Sequence, residues 1–217
     1  MTIKKDDFQL NIMLICVGFI LTVLTHYICV MLGVQLPDIN MLEFVAVATS
    51  YTCTIMFAMQ KRAAYFYGII STFFLCWFFA TQGIFALAIF NGVLVISLIY
   101  GYWRWGPDGR PIPVTNIKGF KSFAGYGMFT VIIAGLFLLL VGASSKIDIF
   151  LASASATAQL MLDNKKLENW LVWMVINVFS IVFFIQSGFW LLAIQFMLFL
   201  LNAIFAYFSW RKGLVNV

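Results

Sequence analysis

Trp173 and Asn177 lie one helical turn apart inside the apolar run WLVWMVINVFSIVFFIQ, and side chains at that spacing share a helix face. An amide within a membrane-spanning helix must find a hydrogen-bond partner or leave a polar group unsatisfied in hydrocarbon. An indole beside an amide, both facing into a helix bundle, suits a small, flat, polar ligand, with the ring stacking and the amide orienting. Ser180 follows three residues later. Other apolar runs are interrupted in the same way, by Ser71 and Trp77, by Asn91 and Ser97, and by Gln195 and Asn202, whose seven-residue spacing sets them on one face. Together these residues would line a polar but nearly chargeless strip, suited to a solute that brings its own positive charge. Each has a plainer reading too. Asn177 would serve as interhelical glue worth about 1 kcal/mol. Trp173 would be an interfacial or packing ring, a role to which Trp105 and Trp170, near the ends of apolar runs, have the stronger claim.

The elements that must position these residues are membrane spans. The chain has 217 residues, 64% of them hydrophobic and 10% charged, with 24 Phe. Charged residues make up about 25% of an ordinary soluble domain, so this composition is that of a polytopic, all-α membrane protein. Eight spans are expected, at about 10–33, 41–59, 63–81, 84–103, 122–143, 147–163, 168–186 and 188–209. The sixth is weak, being rich in small residues, and the start MTIKKDD leads into a run long enough to span, with no clear signal-peptide cleavage site. Charge tests this layout. Lys4, Lys5, Lys61, Arg62, Arg104, Arg110, Lys118, Lys121, Lys165, Lys166, Arg211 and Lys212 fall on one side, and only Lys146 on the other. That bias predicts cytoplasmic N- and C-termini, and it requires the sixth span to cross. It also accounts for the net charge of +5 without a nucleic-acid partner.

Residues 43–105 align without a gap on 148–210 at an offset of 105, with 14 of 63 positions identical. Phe and Leu matches come cheaply here, so the stronger signals are Lys61 over Lys166, Gly83 over Gly188, and Tyr102 and Trp105 over Tyr207 and Trp210. The expected plan is 1 + (3+1+3). Residues 1–40 hold an extra first span, 41–105 a first three-helix repeat, 106–146 a cytoplasmic linker and linking span, and 147–217 a second repeat with the C-terminus. An even offset of four spans makes the repeats parallel, with a ligand path at their seam. Glu43 and Asp148 fall at equivalent span starts, where a first-turn helix role is a better reading than a proton relay.

The chain lacks a phosphate-binding Gly-rich loop, an HExxH motif and a Ser/His/Asp set, so no enzyme and no cofactor are indicated. Cys16, Cys29, Cys53 and Cys76 read as small buried apolar residues, and His26 as a packing or interface residue rather than a metal ligand.

LEFVAV, YFYGIIS, TQGIFA and IYGYWRW in the first half, with ENWLVWMVINVFSIVFFIQSGFWLLAIQF and AYFSWRK in the second, resemble the nicotinamide riboside transporter family, PnuC. The resemblance runs from about Leu42 to Lys212 and is weakest across the fifth span. It implies facilitated diffusion of an unphosphorylated vitamin-like nucleoside across the bacterial cytoplasmic membrane, with trapping by an intracellular kinase. It further implies a homotrimer and a helix arrangement similar to the SWEET sugar transporters. Nicotinamide riboside is the expected solute, and its cationic ring would gain a cation–π contribution of roughly 1–2 kcal/mol on Trp173. Thiamine fits the same logic, and riboflavin or a deoxynucleoside would fit other relatives. A substrate-capture subunit of a multicomponent importer is the alternative class. The resemblance places Trp173 and Asn177 in the binding site, and Gly101, Tyr102 and Trp105 in the motif that ends the first repeat. There the family pattern Gly-Trp-Tyr-x-Trp is replaced by Gly-Tyr-Trp-Arg-Trp, and Asn91 stands where many relatives carry an acid.

Overall fold

The structure, a computed structural model, describes residues 5–31, 33, 41–106, 112–141 and 146–214. Lys4 and Arg110 lie outside the described residues, as do the side chains of Lys5 and Asp148. Eight helices appear among the described residues: α1 (Lys5–Met31), α2 (Met41–Ala58), α3 (Ala64–Thr81), α4 (Phe85–Arg104), α5 (Gly119–Val141), α6 (Lys146–Asp163), α7 (Asn169–Gln186) and α8 (Trp190–Lys212). Seven are long and apolar enough to cross a membrane, while the apolar part of α6 is shorter, Ile149–Asp163. The chain is thus an all-α polytopic membrane protein of seven to eight spans. Packing explains the weak sixth element. α6 is flanked by α4, α5 and α7, and that enclosure lets it bury Ser153, Ser155, Thr157, Gln159 and Asp163 away from lipid.

The short connections end helices by the same geometry at the same spacing. Gly83 and Gly188 take φ of +73° and +78°, a left-handed conformation that glycine adopts without strain. Each lets the next amide reach back over the helix end, Ile84 N–H to the Phe79 carbonyl and Phe189 N–H to that of Phe184, both at 2.9 Å. At the other end of the hairpins, Gln60 and Lys165 are the non-glycine residues with positive φ, at 58° and 47° among the described residues. There Lys61 N–H reaches the Met56 carbonyl and Lys166 N–H that of Met161, again both at 2.9 Å. All these pairs stand 105 residues apart. So do the bounds of α2 and α6, those of α3 and α7, and the first residues of α4 and α8.

Residues 41–104 and 146–212 meet through two helix pairs, α4 on α6 and α8 on α2. α1 packs on α2 and α8, and α5 packs on α6 and only grazes α4. Gly18 allows the α1–α2 approach, since a Cβ there would stand 2.3 Å from Thr52 Oγ1. One end of the bundle gathers the cations. Arg62 Nε donates to the Tyr102 carbonyl at 2.8 Å, Arg104 Nε to Asn164 Oδ1 at 3.3 Å, and Lys166 Nζ to Thr115 Oγ1 at 2.9 Å. The linker before α5 is strapped across this basic end. It forms isolated bridges from Val114 to Leu214 and from Thr115 to Lys166, and Ile117 N–H donates to Glu168 Oε1.

Candidate functional site

A cavity of about 200 Å³ lies between the two halves, and α7 supplies its most polar stripe. Trp170, Trp173, Asn177 and Ser180 recur at alternating spacings of three and four, so all face one way, and all four line the cavity. Asn177 is 2% exposed and Ser180 is 3% exposed. Among the described residues neither side chain has a hydrogen-bond partner on a neighbouring helix. Trp170 Nε1 is likewise buried and unpartnered. Buried polar groups are nearly always satisfied, so one orphaned indole N–H beside an amide and a hydroxyl that face the cavity unpaired marks the stripe as a surface built for something else. The interhelical-glue reading of Asn177 needs a partner helix group, and the packing offers none among the described residues.

The other expected residues divide. Ser71, Asn91 and Gln195 also line the cavity. Ser71 Oγ donates to the Ala46 carbonyl at 3.0 Å and pairs with Ser50. Asn91 Nδ2 donates to the Leu87 carbonyl of its own helix at 2.7 Å, and Gln195 Nε2 faces the Val47 carbonyl at 3.4 Å. Asn202 shares the Gln195 face as its spacing required. Its Nδ2 bonds the Thr54 carbonyl at 3.2 Å, tying α8 to α2, but Asn202 does not itself line the cavity. Trp77 stands apart as well, 52% exposed on the outer surface of α3.

The three residues that end the first half do not line the cavity. The Tyr102 ring lies 3.7 Å beneath the Arg62 guanidinium, which pins the 59–63 turn to the end of α4. Gly101 is a close-approach site: a Cβ there would stand 2.2 Å from Asp163 Oδ1 and 2.3 Å from the Tyr65 ring. Trp105 corrects the interfacial reading, since it is 2% exposed, and Trp170 does so equally at 3%. Trp105 Nε1 donates to the Leu162 carbonyl at the end of α6, and Trp210 Nε1 to the Ala58 carbonyl at the end of α2. Each half therefore holds the other by an indole. Trp105 and Trp210 approach to 6.0 Å between centroids, and Trp210 meets Trp170 edge-on at 5.3 Å. Lys165 Nζ sits 4.4 Å from the Trp105 ring centroid and bonds Gln60 Oε1. Its burial lowers the ammonium pKa to about 8. Toward the opposite end, Phe79 and Phe184 stack across the cavity at 6.4 Å.

Sequence reasoning passed over part of this wall. Gln159 lines the cavity, and Asp163 behind it is fully buried. Four-residue spacing on one span was the available signal, but Asp163 is the last residue of the expected sixth span and borders the Asn-Lys-Lys run. Among the described residues no group of three or more His, Cys, Asp or Glu side chains is placed to hold a metal ion.

Comparison with known proteins agrees with this architecture. The family model described as nicotinamide mononucleotide transporter matches residues 40–212. The nicotinamide riboside transporter PnuC of Haemophilus influenzae is 24% identical over 191 residues, covering 82% of each chain. That of Escherichia coli is 23% identical over 194 residues, covering 74% of this chain and 81% of its own. The crystal structure of the vitamin B3 transporter PnuC superposes with a TM-score of 0.71 at 19% identity, covering 90% of both chains, and so shares the fold. A family match that runs from the start of α2 to the end of α8, and so takes in every helix around the cavity, places this chain among the membrane transporters of the PnuC/nicotinamide mononucleotide transporter family.

Proposed function

We propose that this protein carries unphosphorylated nicotinamide riboside across the bacterial cytoplasmic membrane by facilitated diffusion, with an intracellular kinase trapping the solute. The carrying observation is the α7 stripe, where two indoles alternate with an amide and a hydroxyl that face a cavity without protein partners, beside a buried and unpartnered Trp170 Nε1. Trp173 stacks on the pyridinium ring, and Asn177 and Ser180 bond the carboxamide or ribose hydroxyls. Ser71, Asn91 and Gln195 complete the wall. The curated relatives named for nicotinamide riboside support this solute over thiamine, riboflavin or a deoxynucleoside.

The working unit in this reading is two parallel three-helix repeats, 41–105 and 147–217, in a SWEET-like arrangement. α1 is the extra first span, and 106–146 supplies the linker and the linking span. Helix bounds, left-handed turns and reciprocal indole bonds that recur near an offset of 105 support it. Cation accumulation at one end supports cytoplasmic termini. α5, the least buried helix among the candidate spans, is the surface for homotrimer assembly.

The test is a calorimetric binding screen of purified protein against nicotinamide riboside, thiamine, riboflavin and deoxynucleosides. Preferential binding of nicotinamide riboside is expected, and tighter binding of another member would reassign the solute. Tight binding without flux in liposomes would favour a capture subunit instead.

A further inference from the structure

Asp163 is fully buried, yet among the described residues its partners are all neutral. Tyr65 Oη donates to Oδ1 at 2.9 Å, Gln159 Nε2 to Oδ1 at 2.8 Å, and Ser97 Oγ to Oδ2 at 2.8 Å. The pocket for this carboxyl is built from both halves, since Tyr65 belongs to α3, Ser97 to α4 and Gln159 to α6. It exists only because residue 101 has no side chain. In its ionised form Asp163 accepts and does not donate, and the Gln159 amide then turns its nitrogen toward it. The flipped amide would set two acceptor oxygens against each other at the same distance. An amide whose two ends are otherwise interchangeable is thereby locked. Gln159 itself lines the cavity and is 4% exposed. Its Oε1 has no hydrogen-bond partner among the described residues.

We propose that Asp163 is a positioning residue that holds Gln159 with its carbonyl oxygen toward the cavity, so that this wall selects solutes presenting an N–H or O–H donor. Asn177, by contrast, has no partner that fixes its amide, and it adapts to either polarity. The proposal rests on the reading of the cavity as the solute site. It adds a chemical criterion that stacking on Trp173 does not supply. A carboxamide or a sugar hydroxyl satisfies the Gln159 acceptor. A carboxylate on the same ring meets an acceptor with a second carboxylate behind it, and is rejected.

The experiment compares nicotinamide riboside with nicotinic acid riboside, its carboxylate counterpart, by calorimetry on the full-length protein. Wild type is expected to prefer the amide by more than tenfold. Gln159→Leu should bring the preference within about threefold, and Asp163→Asn should do nearly the same, because asparagine accepts either orientation of the glutamine. The double variant should bind like Gln159→Leu alone, since the acid acts only through the amide. Additive losses in the double variant would overturn the proposal. So would a preference that survives in Gln159→Leu, an outcome that is decisive even where Asp163→Asn does not fold. Wild type that binds neither riboside would overturn the transport reading instead. The two variants and their double, measured on whichever screened solute binds, then decide the positioning role by the same additivity criterion.

Discussion

The α7 stripe sets what single substitutions should do. Trp173 is half-buried, packed on one side against apolar neighbours and open to the cavity on the other. Trp173→Ala removes the stacking face but no helix-to-helix hydrogen bond. Nicotinamide riboside affinity is therefore expected to fall more than tenfold while size-exclusion behaviour is unchanged, and unchanged calorimetric affinity would take Trp173 out of the site. Asn177→Leu is expected to weaken binding and leave the folded protein intact, because the amide has no partner on a neighbouring helix to lose. Loss of detergent-stable protein in that variant would restore the glue role. Gly101 behaves in the opposite way. Its Cβ would collide with Asp163 Oδ1 and the Tyr65 ring, neither of which has room to retreat inside the α3–α4–α6 contact. Gly101→Ala should cost on the order of 1–3 kcal/mol, the usual penalty of overpacking, read as a lowered thermal midpoint.

At the scale of elements, much was legible because hydrophobic run length and turn chemistry are local. The offset of 105 located the paired helix bounds, and Gly83 and Gly188 fell at the turns they were assigned. What remained hidden was the face each residue presents. Six residues separate Ser71 from Trp77, about 240° around a helix, so one faces the cavity and the other the outer surface. Trp105 and Trp170 lie near helix ends, but depth along the membrane does not reveal lateral direction, and both point into the seam. The sequence marks a linker before α5, and only packing shows that it straps the basic end through Thr115 and Ile117. Lys165 belongs to that same closed end. Its folded-state pKa, about 8, lies below the ordinary lysine value of 10.5, so between those values the unfolded chain binds more protons. The penalty is therefore full below about pH 8 and relieved as pH rises toward 10.5. Denaturation of wild type should show stability rising over that window relative to Lys165→Met, in which this contribution is absent.

For the molecule as a whole, the cavity sits where the two halves face each other, but its chemistry is one-sided. At the offset of 105, Phe79 and Phe184, Leu87 and Leu192, and Ser50 and Ser155 line it as matched pairs, whereas Trp173 and Asn177 stand opposite Gly68 and Thr72. Matched walls suit a scaffold that rocks about a central axis, and unmatched polar groups suit a ligand with a ring at one end and a sugar at the other. The halves meet mainly along α4–α6 and α2–α8, and the Trp105 and Trp210 bonds close the basic end of that seam. Opening toward that end must break both indole bonds, each worth about 1 kcal/mol net, a modest barrier for a carrier that has to cycle. Behind the cavity wall stands the acid Asp163, held by three hydrogen bonds from neutral groups. A coupling ion would need a group that gains and loses it in contact with the path, and the polar atoms left without partners on the α7 stripe are an indole N–H, an amide and a hydroxyl, none of which titrates near neutrality. Protein reconstituted in liposomes is therefore expected to equilibrate nicotinamide riboside with no proton or sodium gradient. Uptake should exceed equilibrium only when a riboside kinase and ATP are enclosed, and accumulation driven by an imposed gradient without kinase would overturn uncoupled transport.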